Sequence, residues 1–246
     1  MDKVVYGGRV ENNREIKSVS GTVLGTFEIF KMLDIATRDE IALKLRMHQV
    51  DKGQFVISGQ GADTDVYFLI SGRIRVCTFA LGGKQIHFEE LRSGMMFGEL
   101  SAIDGMSRSS DCISLDVCHL AVMSSDCFKA ILSEHSQVQH AVLIRLAGMV
   151  RANMQKVYEF GALSVSQRVR CELLRLASEA KSDASEIVLN SVPTHAEIAA
   201  RISTHREAVT REVKALETTG LITWRKNKYA IHDIAGLSEL VMSDSA

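Results

Sequence analysis

Short apolar runs separated by glycines fill the chain from Val50 to about Ser125. Three of these alternating runs lie at 54–58, 66–70 and 74–79. Glycines stand between or beside the runs at positions 53, 59, 61, 72, 82, 83, 94, 98 and 105. Repeated short strands with turn residues between them are typical of an all-β sandwich or jelly roll. Strand and helix do not alternate here, so the pattern argues against a βαβ fold.

A helical period replaces this pattern between Gln137 and Phe160. Six residues recur three or four positions apart, at Leu143, Leu146, Val150, Asn153, Val157 and Phe160. This is the spacing of a coiled-coil seam, and it predicts a dimerisation helix over residues 136–162. The seam covers only about two and a half heptads. A core helix packed within its own chain is therefore the alternative.

The C-terminal part, residues 163–246, predicts a winged helix-turn-helix domain. A helix from about Ser164 to Ala180 precedes two more helices, Thr194–Ile202 and His205–Thr218, which a very short turn separates. Two short strands then flank the basic loop 225–228. Helix, turn, helix and β-hairpin in this order describe a winged helix-turn-helix.

These segments together predict an α+β chain with three parts. A β jelly roll over residues 27–135 is followed by the dimerisation helix and then by the winged domain. Residues 1–26 are rich in Gly, Asn, Ser and charge without a sustained period, and they predict a flexible N-terminal arm.

Composition limits the possible locations and partners. The net charge of −1 gives no overall positive field, so a nucleic-acid surface must be a local patch. Five scattered cysteines without C-x-x-C spacing suit reduced thiols in the cytoplasm. No stretch approaches the roughly 20 apolar residues that span a bilayer, so no membrane contact is expected. Neither H-x-x-x-H, a nucleophile elbow nor a Walker loop occurs, and we expect no enzyme activity.

The segment Phe97–Ser110 combines groups that suit an anionic ligand. The planar fork of Arg108 offers donors to the oxygens of an anion, and the resemblance given below implies that Glu99 accepts a ribose 2′-hydroxyl. Gly98 leaves room for close backbone approach. The short turn from Glu99 to Asp104 directs free N–H groups toward an anion.

This segment resembles the phosphate-binding cassette of cyclic-nucleotide-binding domains. The resemblance implies cAMP, or alternatively cGMP, as an allosteric ligand without a metal. It also implies that the Ser109 hydroxyl contacts the phosphate or the purine and that the base meets the long helix near Asn153. Asn153 has a second interpretation, as the polar residue that fixes a coiled-coil register. The predicted ligand-binding residues are Gly98, Glu99, Leu100, Arg108, Ser109, Ser110 and Asn153.

The segment Thr194–Val213 resembles the helix-turn-helix of the CRP/FNR family of transcription regulators. Its R-E-x-V-x-R motif is Arg206–Arg211, and arginine and glutamate suit guanine and cytosine edges in the major groove. Residues 194–229 hold seven Lys/Arg against four Asp/Glu, a local charge of +3. The predicted DNA-binding residues are Thr194, His205, Arg206, Glu207, Thr210, Arg211, Arg225, Lys226 and Lys228.

Two positions depart from the family pattern. Ser203 stands where the turn usually has glycine, and His205 stands where a serine commonly precedes the arginine. Thr204 is the expected substitute helix cap.

The resemblance covers roughly residues 27–233 and implies a homodimer that reads a palindromic double-stranded DNA operator. RNA polymerase is an expected further partner. The alternatives are a regulator of the same family that is gated by a redox signal or by haem, or one that needs no ligand.

Overall fold

The computed structural model describes residues 19–80, 83, 85–179, 187–189, 193–225 and 228–243. Its internal contacts divide the chain into two compact units. The first unit is Met1–Thr78 with Phe88–Arg145, and the second is Phe79–His87 with Leu146–Ala246.

The N-terminal half contains short helices and eight strands. In chain order its elements are α1 (Gly21–Leu24), a 3-10 turn (Glu28–Phe30), α2 (Ile35–Ala42), β1 (Arg46–Val50), β2 (Phe55–Ile57), β3 (Val66–Ser71), β4 (Arg73–Phe79), β5 (Gln85–Arg92), β6 (Met96–Phe97), α3 (Glu99–Asp104), β7 (Asp111–Ser114), β8 (Cys118–Met123) and α4 (Ser125–Glu134). The strands form two four-stranded sheets, in the orders β1-β8-β3-β6 and β2-β7-β4-β5.

One apolar core joins the two sheets, because every strand contributes a buried side chain to it. Its buried members are Val50, Ile57, Leu69, Ile74, Leu91, Phe97, Cys112, Cys118, Leu120 and Val122. The ring of Phe68 lies 5.3 Å from that of Phe27 and 5.4 Å from that of Phe30, and all three are buried. The β-rich jelly-roll prediction is confirmed.

The predicted flexible arm is wrong for residues 19–26. Ser20 caps α1 by accepting from the Val23 amide, and Leu24 is fully buried. The Gly21 amide donates to Asp39 Oδ1 at 2.7 Å, and a Cβ on Gly21 would lie 2.6 Å from that oxygen. The small residues therefore serve close packing. Residues 1–18 lie outside the described part of the chain.

The long helix α5 (Ser136–Ala162) has 27 residues, as its period predicts. Val138 and Val142 are buried. Most of the remaining apolar side chains are exposed on this helix, including Leu143, Ile144, Val150, Met154, Val157, Tyr158 and Phe160. Within the described residues, no helix is both long and apolar enough to cross a membrane.

The C-terminal elements form a second, separate core. They are α6 (Val165–Glu179), β9 (Ile187–Leu189), α7 (His195–Arg201), α8 (Arg206–Thr218), β10 (Ile222–Arg225), β11 (Lys228–Ile231) and α9 (Ile234–Ser243). The three strands pair in the order β10-β11-β9. Helices α6 to α9 and the three strands all contribute to the core, with Val169, Leu173, Ile198, Val209, Tyr229 and Leu237 fully buried. This is the expected winged helix-turn-helix, to which the structure adds β9 and α9.

Candidate functional site

Arg108 is held inside the first unit with its side chain only 2% exposed. Nη1 donates to the Gly98 carbonyl and Nη2 to the Asp65 carbonyl, each at 2.8 Å. Nη2 also donates to the carboxylate of Asp63. Nε is buried and has no hydrogen-bond partner among the described residues. A fixed cation with an unused donor is suited to an anion.

Gly98 is required where the backbone turns into α3. Its φ is +83°, in the left-handed region that glycine tolerates. A Cβ at this position would lie 2.8 Å from Arg108 Nη1 and 2.9 Å from the Asp65 carbonyl oxygen. Gly98 therefore permits the close approach of the cassette backbone to Arg108.

Glu99 follows in the first turn of α3 and is almost fully buried. Its Oε1 accepts from Nε of Arg145 at 3.2 Å, and Arg145 Nη2 donates to the Met96 carbonyl at 2.8 Å. Arg145 neutralises a carboxylate whose burial would otherwise be costly. This pairing is not apparent from the sequence, because 46 residues separate Glu99 from Arg145.

Tyr67 contacts Arg108 and also two residues close to it, Phe97 and Asp63. Its ring stacks on Phe97 with centroids 5.2 Å apart, and the Arg108 guanidinium carbon lies 5.9 Å from the Tyr67 centroid. The Tyr67 hydroxyl donates to Asp63 Oδ1 at 3.3 Å. Burial, together with the charge of Asp63, raises the pKa of Tyr67. The phenol therefore keeps its proton at neutral pH and can donate this hydrogen bond to Asp63.

The other predicted ligand residues are less enclosed. Ser109 is exposed, while Leu100 and Ser110, also within the cassette, are partly buried. Asn153 is exposed and belongs to the second unit. Its contact with a base stays a prediction.

The turn between α7 and α8 explains one departure from the family pattern. Ser203 has φ +53°, a left-handed conformation that glycine would adopt at lower cost. The Thr204 amide donates to the Ala199 carbonyl at 2.9 Å. The residue that caps α8 is His205, without a side-chain cap bond. The expected cap at Thr204 is therefore wrong.

One face of α8 is open. Its side chains line a single groove made of Arg206, Glu207, Thr210, Arg211 and Lys214. The opposite face packs inward through Val209, Val213 and Leu216, which are buried. Glu212 is buried as well, and it accepts from Arg170 Nε at 2.7 Å.

Two predicted DNA contacts, Thr194 and Thr210, use their hydroxyls within the protein. Thr194 caps α7 in a capping box with Glu197. The Thr210 hydroxyl donates to the Arg206 carbonyl at 3.0 Å and lies 2.9 Å from His195 Nδ1. Both side chains thus help to hold the motif together, and their DNA contacts stay predictions.

The wing carries three predicted phosphate contacts. Arg225 ends β10 and Lys228 begins β11, and the two are paired in the hairpin register. Lys226 lies outside the described residues. The contacts of all three with DNA stay predictions.

Comparison with known proteins identifies the family. Residues 47–135 match the cyclic nucleotide-binding domain, and residues 167–240 match the Crp-like helix-turn-helix domain. Together these matches cover the sheet unit with its cassette and the winged unit, in that order. The chain belongs to the CRP/FNR family. The cassette lies within the first matched domain, and α8 lies within the second.

Curated relatives are transcription regulators of moderate similarity. The cyclic AMP receptor protein of Thermus thermophilus is 25% identical over 175 residues, which cover 71% of this chain and 78% of that protein. The cAMP-activated global transcriptional regulator CRP of Escherichia coli O6:H1 is 25% identical over 173 residues, 70% of this chain and 82% of the relative.

Solved structures share the fold. A CRP/FNR-family regulator of Eubacterium rectale superimposes with a TM-score of 0.66 at 21% identity, covering 89% of this chain and all of that one. A CooA variant from Carboxydothermus hydrogenoformans gives 0.75 at 16% identity, covering 87% and 94%. The c-di-GMP-responsive regulator CLP of Xanthomonas campestris gives 0.69 at 19% identity, covering 81% and 99%.

His195 predicts an acid sensitivity of the winged unit. Because the Thr210 hydroxyl donates to the Arg206 carbonyl, it must accept from His195 Nδ1–H, which leaves Nε2 unprotonated. Nε2 is buried without a partner among the described residues. Burial, and then the charge of Arg206, lowers the pKa of His195.

The folded state therefore binds fewer protons at His195 than the unfolded state. Stability is lost as pH falls through the unfolded pKa, near 6.5. Thermal unfolding should show a smaller loss between pH 7.5 and 5.5 in His195→Asn, which keeps an N–H donor for Thr210, than in the wild type. The control is replacement of the exposed His140 by Asn. An unchanged loss in His195→Asn would contradict this assignment.

Proposed function

We propose that the chain is a homodimeric transcription regulator whose affinity for a palindromic operator is controlled by a cyclic nucleotide. The observation that carries this proposal is the pair of buried charged groups on one cassette. Arg108 keeps a donor unused, and Glu99 is enclosed beside the same turn. We take cAMP as the first candidate, because the curated relatives are named for it, and cGMP as the alternative.

The two groups divide the ligand between them. Arg108 binds the anionic phosphodiester with charge-assisted hydrogen bonds, which are about twice as strong as neutral ones. Glu99 uses Oε1 for Arg145, and its other oxygen accepts the ribose 2′-hydroxyl. Ser109 supplies a hydroxyl at the exposed rim, and Asn153 meets the base from the long helix.

The exposed face of α5 is the proposed dimer seam. Val150, Val157 and Phe160 have 58%, 71% and 43% of their surface exposed, and all three follow the coiled-coil spacing. Contiguous exposed apolar side chains mark an interaction surface. A second copy of α5 presents the same face. Burying the two faces against each other stabilises the dimer by roughly 25 cal/mol for each Å² of apolar surface removed from water.

Replacing Val157 with lysine should weaken the dimer by about tenfold or more, because each dimer would bring two charges into the seam. Sedimentation equilibrium measures the dissociation constant. Ala152→Lys, off the seam on the same exposed helix, is the matched control and should leave that constant unchanged. Equal dimerisation of both variants would remove the seam assignment.

Helix α8 is the proposed DNA reader. Arg206 and Arg211 present forks to guanine edges, and Glu207 accepts from cytosine N4. His205 makes no side-chain cap bond, so the first two amides of α8, at Arg206 and Glu207, are available to a phosphate. The wing residues Arg225, Lys226 and Lys228 add salt-sensitive phosphate contacts.

A two-fold dimer places two such helices about one DNA turn apart, on a palindrome. The proposed setting is the cytoplasm, which fits five free cysteines. RNA polymerase is the proposed partner at the promoter.

Titration calorimetry with cAMP and cGMP side by side tests the ligand part. We expect saturable binding of at least one nucleotide, with one site per protomer. Absence of heat with both, confirmed by an unchanged melting temperature, would contradict nucleotide binding. A redox, haem or ligand-independent regulator would then replace it.

A further inference from the structure

Asp63 occupies a donor of Arg108 that a ligand phosphate needs. Nη1 is used by the Gly98 carbonyl, and Nη2 serves both the Asp65 carbonyl and the Asp63 carboxylate. Nε is buried and lacks a partner among the described residues. The unpartnered donor Nε and the donor Nη2 that Asp63 occupies therefore belong to the same guanidinium.

The geometry of the guanidinium decides what must change on binding. The Nε hydrogen and one Nη2 hydrogen point the same way, and together they form an edge that can receive two oxygens of a phosphate. In this structure Nη2 already donates to two acceptors, the Asp65 carbonyl and the Asp63 carboxylate. A phosphate that takes the Nε edge of Arg108 must therefore displace either the Asp65 carbonyl or the Asp63 carboxylate.

Asp63 is the acceptor that moves at lower cost. The Asp65 carbonyl belongs to the backbone that leads directly into β3, whereas Asp63 reaches Arg108 with its side chain from the loop between β2 and β3. The Asp63 side chain is 46% exposed, but that of Arg108 is 2% exposed. Water can solvate the departing carboxylate, while Arg108 stays in place.

We propose that Asp63 is an intramolecular competitor of the ligand phosphate for Arg108 and so sets the nucleotide concentration to which the protein responds. The inference rests on the proposed cyclic-nucleotide function. A carboxylate and a phosphodiester are both anions, so they repel each other when they bind to the same arginine. Each molecule of ligand therefore binds at the expense of the Asp63–Arg108 ion pair.

The test is Asp63→Asn, which keeps the shape and an acceptor oxygen but removes the charge. A neutral acceptor holds an arginine less strongly than a carboxylate. We expect the Kd for the bound cyclic nucleotide to fall by about five- to tenfold in calorimetry. Adenosine lacks the phosphate, so any weak binding of adenosine should be the same in both proteins.

Asp116→Asn is the matched control. Asp116 pairs with Arg73 at 2.7 Å in the same unit, and its side chain is 41% exposed, close to that of Asp63. The variant removes the same charge and an aspartate–arginine ion pair that does not involve Arg108. We expect its nucleotide affinity to equal that of the wild type.

The outcomes separate this inference from the proposed function. Tighter binding by Asp63→Asn, or binding by that variant alone, supports the competitor. If the wild type binds nucleotide and Asp63→Asn binds equally or more weakly, the function stands and the competitor is overturned, with weaker binding making Asp63 a brace for Arg108. If neither protein binds, nucleotide control is contradicted and the inference falls with it.

Discussion

Replacing Arg108 with alanine is expected to abolish measurable cyclic-nucleotide binding. A hydrogen bond to a charged group contributes about 1.5–3 kcal/mol, so losing two bonds to the phosphate costs roughly 3–6 kcal/mol. Since about 1.4 kcal/mol is a factor of ten, the Kd should rise at least about 100-fold. Calorimetry with cAMP and cGMP measures the change.

Arg108 also binds two carbonyls of its own chain, so the fold of the variant must be checked. Circular dichroism and thermal unfolding serve this purpose, and Arg108→Lys keeps the charge without the planar fork. Arg46→Ala is the control, because Arg46 is an exposed arginine of the same unit that pairs with the side chain of Asp65 at 2.8 Å. A folded Arg108→Ala protein that binds nucleotide as tightly as Arg46→Ala would remove the pocket from this segment.

Replacing Arg206 with alanine is expected to abolish specific operator binding. One bidentate arginine–guanine contact gives about 1–3 kcal/mol of discrimination. A homodimer on a palindrome loses the contact in both half-sites, so the loss is roughly 2–6 kcal/mol, or about 30-fold to 10⁴-fold in affinity. Fluorescence anisotropy at one fixed salt concentration measures this for a cognate operator.

A contrast within the same groove separates base reading from phosphate contact. Lys214 lines the groove with Arg206 but is a point charge on an exposed stem. Lys214→Ala should weaken binding to operator and random DNA by similar factors, whereas Arg206→Ala should affect the operator far more. Equal losses on both DNAs in Arg206→Ala would show that Arg206 does not read bases.

Much of the fold follows from periodicity. The alternating runs predict the sheets, and the spacing from Leu143 to Phe160 predicts α5. The hydrophobic pattern does not predict α1. The helix begins with Gly21, which is a poor helix former but allows the close approach of Asp39. Strand β9 has only three residues, which are too few to show an alternation in the sequence. It is recognised as a strand only through its pairing with β11.

The cassette is predictable to the extent that its residues are close in the sequence. Gly98, Glu99 and Arg108 lie within eleven positions and form a recognisable motif. Their partners do not, because Asp63 is 45 residues from Arg108 and Arg145 is 46 residues from Glu99. Only the folded chain brings these opposite charges together. Asp63 and Arg145 otherwise resemble any exposed charge on a loop or helix.

Operator affinity with and without nucleotide shows whether nucleotide at Arg108 controls DNA binding by α8. Operator affinity is measured by anisotropy at fixed salt, with no nucleotide, with saturating cAMP and with saturating cGMP. We predict that one nucleotide lowers the operator Kd at least about tenfold, with operator tightening nucleotide binding by the same factor, since coupling is reciprocal. Identical operator affinity in all three conditions, with nucleotide shown to be bound, would contradict the account.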